Sequence, residues 1–378
     1  MRPSIAHHSA CGSLCLIISL VLSLVGCAAG PRISRDTVGG AWDTFNRPLF
    51  LEPGSIVRFF DLPLQGNANQ VPWSDAAWPT SSGGLCARWT GELMPECNGP
   101  RLSEVEIKRM TESQLAELSP GEKYDIFMGR FDFPTLEAER ERTRLPVTQS
   151  ASSCHGFCLG WPAASVNFDE PQPVTLMGAA GVAVPFGSSD IKALLAYAQE
   201  VVFSPMIESH QQGCNPRLAL TVGVEPPLMC SPLDAGSFYL ILSNSIGRQG
   251  QSLIAEWEHE GGGKHVPIFS FSTRQLSQQA VSSVSLSGVN TKVVLETELK
   301  LLKKLEQPRW LPLMEQHATV TEIRTLSFVV ELDGLGRIVG GHWLSQQHPR
   351  NVWRQERAGF VGYYKAIFDL YEKSRSGN

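Results

Sequence analysis

The chain has 378 residues, a formal net charge of −5 and only 18% charged residues. Its basic residues are scattered along the sequence, so we expect no nucleic-acid partner, which would require a basic stripe. The low charge content and the 9 tryptophans indicate an ordered core, and the length suffices for one large domain or for a core with a smaller satellite.

The N-terminus carries an export signal. The apolar run 16–25 ends in Leu24-Val-Gly-Cys27, which is typical of a lipobox whose cysteine is lipidated and becomes the new N-terminus. The alternatives are a plain secretory signal or a membrane anchor, but the run is short for a transmembrane helix. Because no Asp follows Cys27, we expect a lipoprotein of the bacterial outer membrane, on its periplasmic or cell-surface face, that contacts the membrane through the lipid anchor.

Four segments are expected from this pattern. Residues 1–27 form the signal peptide, 28–65 a tether, 66–360 the folded domain and 361–378 a C-terminal tail.

Six cysteines follow Cys27, and export permits disulfides among them. The pairs Cys86–Cys97 and Cys214–Cys230 are each close in sequence and flanked by Gly or Pro turns, so both are expected bridges. Cys154 and Cys158 remain, either as a third bridge or as free thiols. Since no second Cys/His pair has zinc-ligand spacing, no metal or other cofactor is expected.

Helix signals dominate the first half of the domain. Ser103 caps the first predicted helix, Ser119-Pro-Gly ends it, and Ser188 or Ser189 caps the last. The predicted helices span 102–118, 136–144, 157–166 and 190–202.

Strand signals dominate the second half, although an amphipathic pattern with a Lys-rich face predicts one further helix over 293–305. The last two strands flank a turn at 333–336. The predicted strands span 182–186, 237–242, 253–257, 266–272, 323–332 and 337–339. Helices first and an antiparallel sheet afterwards indicate the α+β class.

Cys158 is the candidate nucleophile. It stands just before a predicted helix with Pro162 in its first turn, and the positive end of a helix dipole favours a thiolate. Thiol acyl transfer also needs a general base. A thiol on a helix would face a base on a later strand, and His265 stands at a predicted turn-to-strand junction, so His265 is the candidate base.

The segment His155-Gly-Phe-Cys158-Leu-Gly-Trp161-Pro resembles the cysteine motif of the transglutaminase-elicitor family. The resemblance covers about residues 70–355. Further blocks agree in order: Pro72-Trp-Ser-Asp-Ala-Ala-Trp78-Pro, Arg88-Trp89, Leu118-Ser-Pro-Gly-Glu-Lys-Tyr-Asp125, Ser189-Asp190-Ile-Lys192, the pair Cys214 and Cys230, and Gly336-Arg-Ile-Val-Gly-Gly-His-Trp343 with His348-Pro349.

The resemblance implies a papain-like core, in which a helix carries the cysteine and packs against an antiparallel sheet that carries the histidine. It implies attack on a glutamine carboxamide of a protein donor and transfer of the acyl group to a lysine amine or to water.

The chain departs from the family pattern at two positions. Tyr239 stands where the family has histidine, and His265 stands where the family has the orienting asparagine. We therefore expect His265 to act as the base and Tyr239 to donate a hydrogen bond to the oxyanion or to His265. The alternatives are a catalytically impaired binding lipoprotein of the same fold and a cysteine peptidase.

Overall fold

The computed structural model describes residues 54–375 with internal gaps. The gaps are 77, 79–82, 90–96, 98–100, 145–156, 158, 202–205, 214–232, 258–263, 282–287 and 314–319. Within the described part of the chain, no helix is both long and apolar enough to cross a membrane.

Eight α-helices are described, and six of them lie before residue 202. They are α1 Glu104–Ile107, α2 Glu112–Ala116, α3 Pro120–Phe127, α4 Pro134–Arg144, α5 Gly160–Asn167, α6 Ser188–Val201, α7 Ala235–Leu242 and α8 Lys365–Arg375. Capping boxes start the first three. The predicted helix 102–118 is two helices, because Thr111 and Gln114 form a second capping box that restarts the chain at α2.

Ten strands are described: β1 Gln65–Asn67, β2 Val174–Met177, β3 Ala183–Phe186, β4 Met206–Gly213, β5 Leu253–Trp257, β6 Lys264–Ala280, β7 Thr291–Leu302, β8 Thr321–Leu332, β9 Ile338–Trp343 and β10 Pro349–Gln355. The main sheet has the order β4-β10-β5-β6-β7-β8-β9, with β1 paired to β6, and β2 and β3 form a separate hairpin. Every pairing is antiparallel. The expected α+β class with an antiparallel sheet is confirmed.

Two predicted elements are wrong. The predicted helix 293–305 is strand β7, whose alternate residues are buried and whose lysines Lys292 and Lys300 lie on its exposed positions. The predicted strand 237–242 is helix α7, which Asp234 caps by accepting the N–H groups of Gly236 and Ser237.

The predicted domain boundaries at 65 and 361 fall inside packed structure. Phe59 is only 3% exposed and joins the core beneath the sheet, so the fold begins before the expected end of the tether. Residues of the expected tail form α8, whose Ile367 and Leu370 are fully buried among the helices.

The two faces of the main sheet pack against different helices. On the α7 face, Leu253, Ala255 and Val352 join the side chains of α7 in one core. On the α5 face, Ile254 and Trp353 pack with Ala163 of α5. Because strand side chains alternate between faces, the face of each neighbouring residue follows from its register.

Candidate active site

Cys158 itself lies outside the described residues, but its neighbours in sequence are described. Helix α5 begins at Gly160, two residues after Cys158 and three residues later than the predicted start at 157. Phe157 is fully buried, and its carbonyl accepts the N–H of Trp161 at 2.8 Å. The predicted helix is therefore present directly after the candidate nucleophile.

Gly160 allows α5 to lie against α6. A Cβ atom at this position would stand 2.0 Å from the carbonyl oxygen of Ala196. Real Cβ atoms do not approach backbone so closely, so a side chain here would push the two helices apart. The glycine in the motif thus fixes the position of the helix that follows Cys158.

His265 lies on the α5 face of the sheet. It is half-buried on β6, and its ring meets the ring of Trp353 edge-on with centroids 5.5 Å apart. Trp353 packs with Ala163 of α5, and the partly buried Leu159 packs against the same cluster. The candidate base therefore contacts the same cluster against which the residue next to Cys158 packs.

A row of polar residues crosses the sheet at His265. The strand register places His265 opposite Glu256 on β5, and Glu256 opposite Asn351 on β10. Residues opposite each other in antiparallel strands point to the same face. Burial raises the pKa of Glu256, and the charge of Arg350 partly offsets this effect. Sequence reasoning missed Glu256 and Asn351, because strand register is set by tertiary pairing.

Tyr239 lies on the opposite side of the sheet from His265. It is fully buried on α7 and contacts the rings of Phe59 and Phe328, each at a centroid distance of 5.9 Å. Burial raises its pKa to about 12. The expectation that Tyr239 donates a hydrogen bond to His265 is therefore wrong. The predicted strand 237–242 is helix α7, and this helix places Tyr239 in the core on the other face of the sheet.

The cysteine predictions divide into one confirmed pair and several positions outside the described residues. Cys86 and Cys97 form a disulfide with a Cα–Cα distance of 5.4 Å. Cys214, Cys230, Cys154 and Cys27 belong to the parts of the chain that are not described. Among the described residues, no group of three or more His, Cys, Asp or Glu side chains could hold a metal ion.

No protein-family model matches the chain, and no curated protein matches it in sequence. Among solved structures, the crystal structure of the GP42 transglutaminase from Phytophthora sojae is similar, with a TM-score of 0.64 and 17% sequence identity. The similarity covers 90% of this chain and 100% of that one. The chain therefore has the fold of the transglutaminase-elicitor family.

Proposed function

We propose that the protein is a thiol acyltransferase of the transglutaminase type, with Cys158 as the nucleophile and His265 as the general base. One observation carries the proposal: His265 lies on the sheet face that packs against α5, and α5 begins two residues after Cys158. A thiol at a helix start and a histidine on the facing strand are the two groups that thiol acyl transfer needs.

The proposed reaction has two halves. The Cys158 thiolate attacks the carboxamide carbon of a glutamine side chain, and the imidazolium of His265 gives a proton to the departing ammonia, which leaves a thioester. A lysine amine then attacks the thioester carbon while His265 takes a proton from the amine, and the thiolate leaves. Attack by water in the second half would give glutamate instead of the cross-link.

Glu256 and Asn351 are the proposed orienting groups for His265. Both lie in the row that the strand register forms across the α5 face. A carboxylate or an amide oxygen beside an imidazole holds the ring in one tautomer and orientation and stabilises its charged form. Asn351 is 4% exposed, so the row is largely shielded from water on the β10 side.

We further propose that the enzyme acts outside the cytoplasm as an outer-membrane lipoprotein, attached through lipid on Cys27, with proteins as both glutamine donor and lysine acceptor. The lipobox sequence and the Cys86–Cys97 disulfide support this proposal, because disulfides persist in oxidising compartments. Labelling of cells with radioactive palmitate should mark the wild type and leave Cys27→Ala unmarked.

Amine incorporation tests the reaction. The wild type is incubated with a fluorescent primary amine and a set of casein and glutamine-rich peptide donors, and donor fluorescence is measured. Cys158→Ala and His265→Ala should abolish incorporation while circular dichroism stays unchanged, whereas Cys154→Ala should retain it. A wild type that incorporates no amine into any donor would contradict the proposal, and peptide-bond cleavage without incorporation would identify a cysteine peptidase.

A further inference from the structure

An arginine shared by two carboxylates lies beside the start of α5. Nε and Nη2 of Arg142 donate to the two carboxylate oxygens of Glu139 at 2.6 and 2.7 Å. Its Nη1 lies 4.0 Å from Oε1 of Glu200 on α6. The Glu139 side chain is fully buried, and the Glu200 side chain is 15% exposed. The single positive charge of Arg142 is therefore shared by the carboxylates of Glu139 and Glu200, both of which are largely shielded from solvent.

This cluster contacts the chain on both sides of Cys158. The guanidinium carbon of Arg142 lies 5.0 Å from the ring centroid of Phe157, the residue before Cys158. The second oxygen of Glu200 accepts the N–H of Gly160, the first residue of α5, at 2.9 Å. Phe157 and Gly160 are one and two positions from Cys158 in the sequence. Because consecutive Cα atoms are about 3.8 Å apart, both contacts lie close to the residue that carries the thiol.

We propose that Arg142 and Glu200 are positioning residues for Cys158, which hold Phe157 and Gly160 on either side of it in the sequence and set the charge balance at the start of α5. The inference rests on the proposed role of Cys158 as the nucleophile. A helix N-terminus favours a nearby thiolate, but a carboxylate bonded to the same N-terminus opposes it through like-charge repulsion. Arg142 offsets that repulsion, so the pair tunes how readily the thiol ionises.

The other ionisable groups near Phe157 and Gly160 do not replace Arg142 and Glu200. On α4, both carboxylate oxygens of Glu139 accept hydrogen bonds from Arg142, so Glu139 shares this guanidinium with Glu200. On α6, Tyr197 packs edge-on against Phe157 at 5.7 Å, and burial raises its pKa, so it stays neutral. On the sheet side, Glu256 of β5 and His265 of β6 lie on the face that packs against α5.

The test is the pH dependence of alkylation of the Cys158 thiol by iodoacetamide, followed by mass spectrometry of its peptide. Glu200→Gln keeps an oxygen for the Gly160 N–H but removes the negative charge. The midpoint of the alkylation rate against pH should therefore fall by about half a pH unit. Arg142→Gln should raise the midpoint by a similar amount, and Arg142→Lys should bring it back toward the wild type. Glu298→Gln, an exposed change on β7, should leave it unchanged.

Equal midpoints in the wild type and in Glu200→Gln would overturn the proposal, and so would shifts of Glu200→Gln and Arg142→Gln in the same direction. If Arg142→Gln fails to fold, Glu200→Gln and Arg142→Lys still test the proposal, because both keep a hydrogen-bond partner for every buried polar group. A purely structural role would change the alkylation rate at all pH values without moving the midpoint. Alkylation needs no glutamine donor, so the result is independent of whether the protein transfers acyl groups.

Discussion

The ring of His265 meets the ring of Trp353 edge-on, with centroids 5.5 Å apart and an interplanar angle of 76°. Trp353 is only 3% exposed and packs with Ala163 on the helix that follows Cys158. The tryptophan therefore links the candidate base to the helix of the candidate nucleophile and limits how the imidazole can turn.

Trp353→Phe should lower kcat/KM for amine incorporation by about tenfold or more, because small displacements of a catalytic group have large effects on rate. The smaller ring would also leave a cavity, with an expected loss of about 1–3 kcal/mol in the free energy of unfolding. Trp343→Phe is the matched control, since Trp343 lies on the α7 face against Phe238 and Phe328. The control should lose stability and keep its activity per folded molecule. Equal activity in both variants would contradict the positioning role of Trp353.

Tyr239→Phe should leave amine incorporation within about twofold of the wild type, because Tyr239 lies in the core on the other face of the sheet. The hydroxyls of Ser243 and Thr273 are its polar neighbours, but no described residue completes a hydrogen bond with the Tyr239 hydroxyl. Its removal should therefore change the free energy of unfolding in urea by no more than about 1 kcal/mol. A large loss of activity without a loss of stability would place Tyr239 in the catalytic site after all.

Gly160→Ala should destabilise the protein by about 1–3 kcal/mol, because the added methyl group meets the Ala196 carbonyl and overpacks the contact between α5 and α6. Activity should fall as well, since the helix beside Cys158 has to move. The control is Gly359→Ala, where an added Cβ meets nothing within 4 Å. Thermal unfolding and amine incorporation are measured on both variants. A Gly160→Ala protein as stable and active as Gly359→Ala would show that the close helix contact is not required.

Ionisation of the Asp75 carboxyl should lower the free energy of unfolding as the pH rises from about 4 to about 6. Burial raises the pKa of this carboxyl to about 6, although Lys192 and a hydrogen bond from Ser189 oppose the effect. The folded state thus holds the proton more tightly than the unfolded state. The stabilisation is complete below the unfolded pKa near 4 and is lost as the pH passes the folded value.

The urea unfolding free energies at about pH 4.5 and about pH 7.5 test this sign. The Asp75 contribution amounts to at most about 3 kcal/mol between the two conditions. Asp75→Asn, which does not titrate, should lose that part of the pH dependence. A wild type and an Asp75→Asn variant with parallel pH dependences would contradict the assignment to Asp75.

Local signals in the sequence predicted much of the fold. The turn at 333–336 predicted the β8–β9 hairpin, and the boundaries of β5 at Leu253 and Trp257 agree with the prediction. The close spacing of Cys86 and Cys97 predicted their disulfide. These features depend on turn residues and on the short-range alternation of apolar and polar residues, and both can be recognised in a single sequence.

Long-range packing decided what the sequence did not predict. Residues 293–302 alternate well enough to form a central strand, and pairing with β6 and β8 overrides their helix-like charge pattern. The row of His265, Glu256 and Asn351 exists only through the register of three strands. The separation of Tyr239 from His265 likewise depends on which face of the sheet α7 covers.

The central claim is that Cys158 and His265 form one catalytic pair. A crystal structure of the protein, with the thiol kept reduced, measures the distance between the Cys158 sulfur and the nearer ring nitrogen of His265. The expected distance is at most about 4 Å, close to the reach of a hydrogen bond to sulfur. A distance beyond about 7 Å, with a different side chain facing the sulfur, would contradict the claim, because no proton could then pass directly between the two groups.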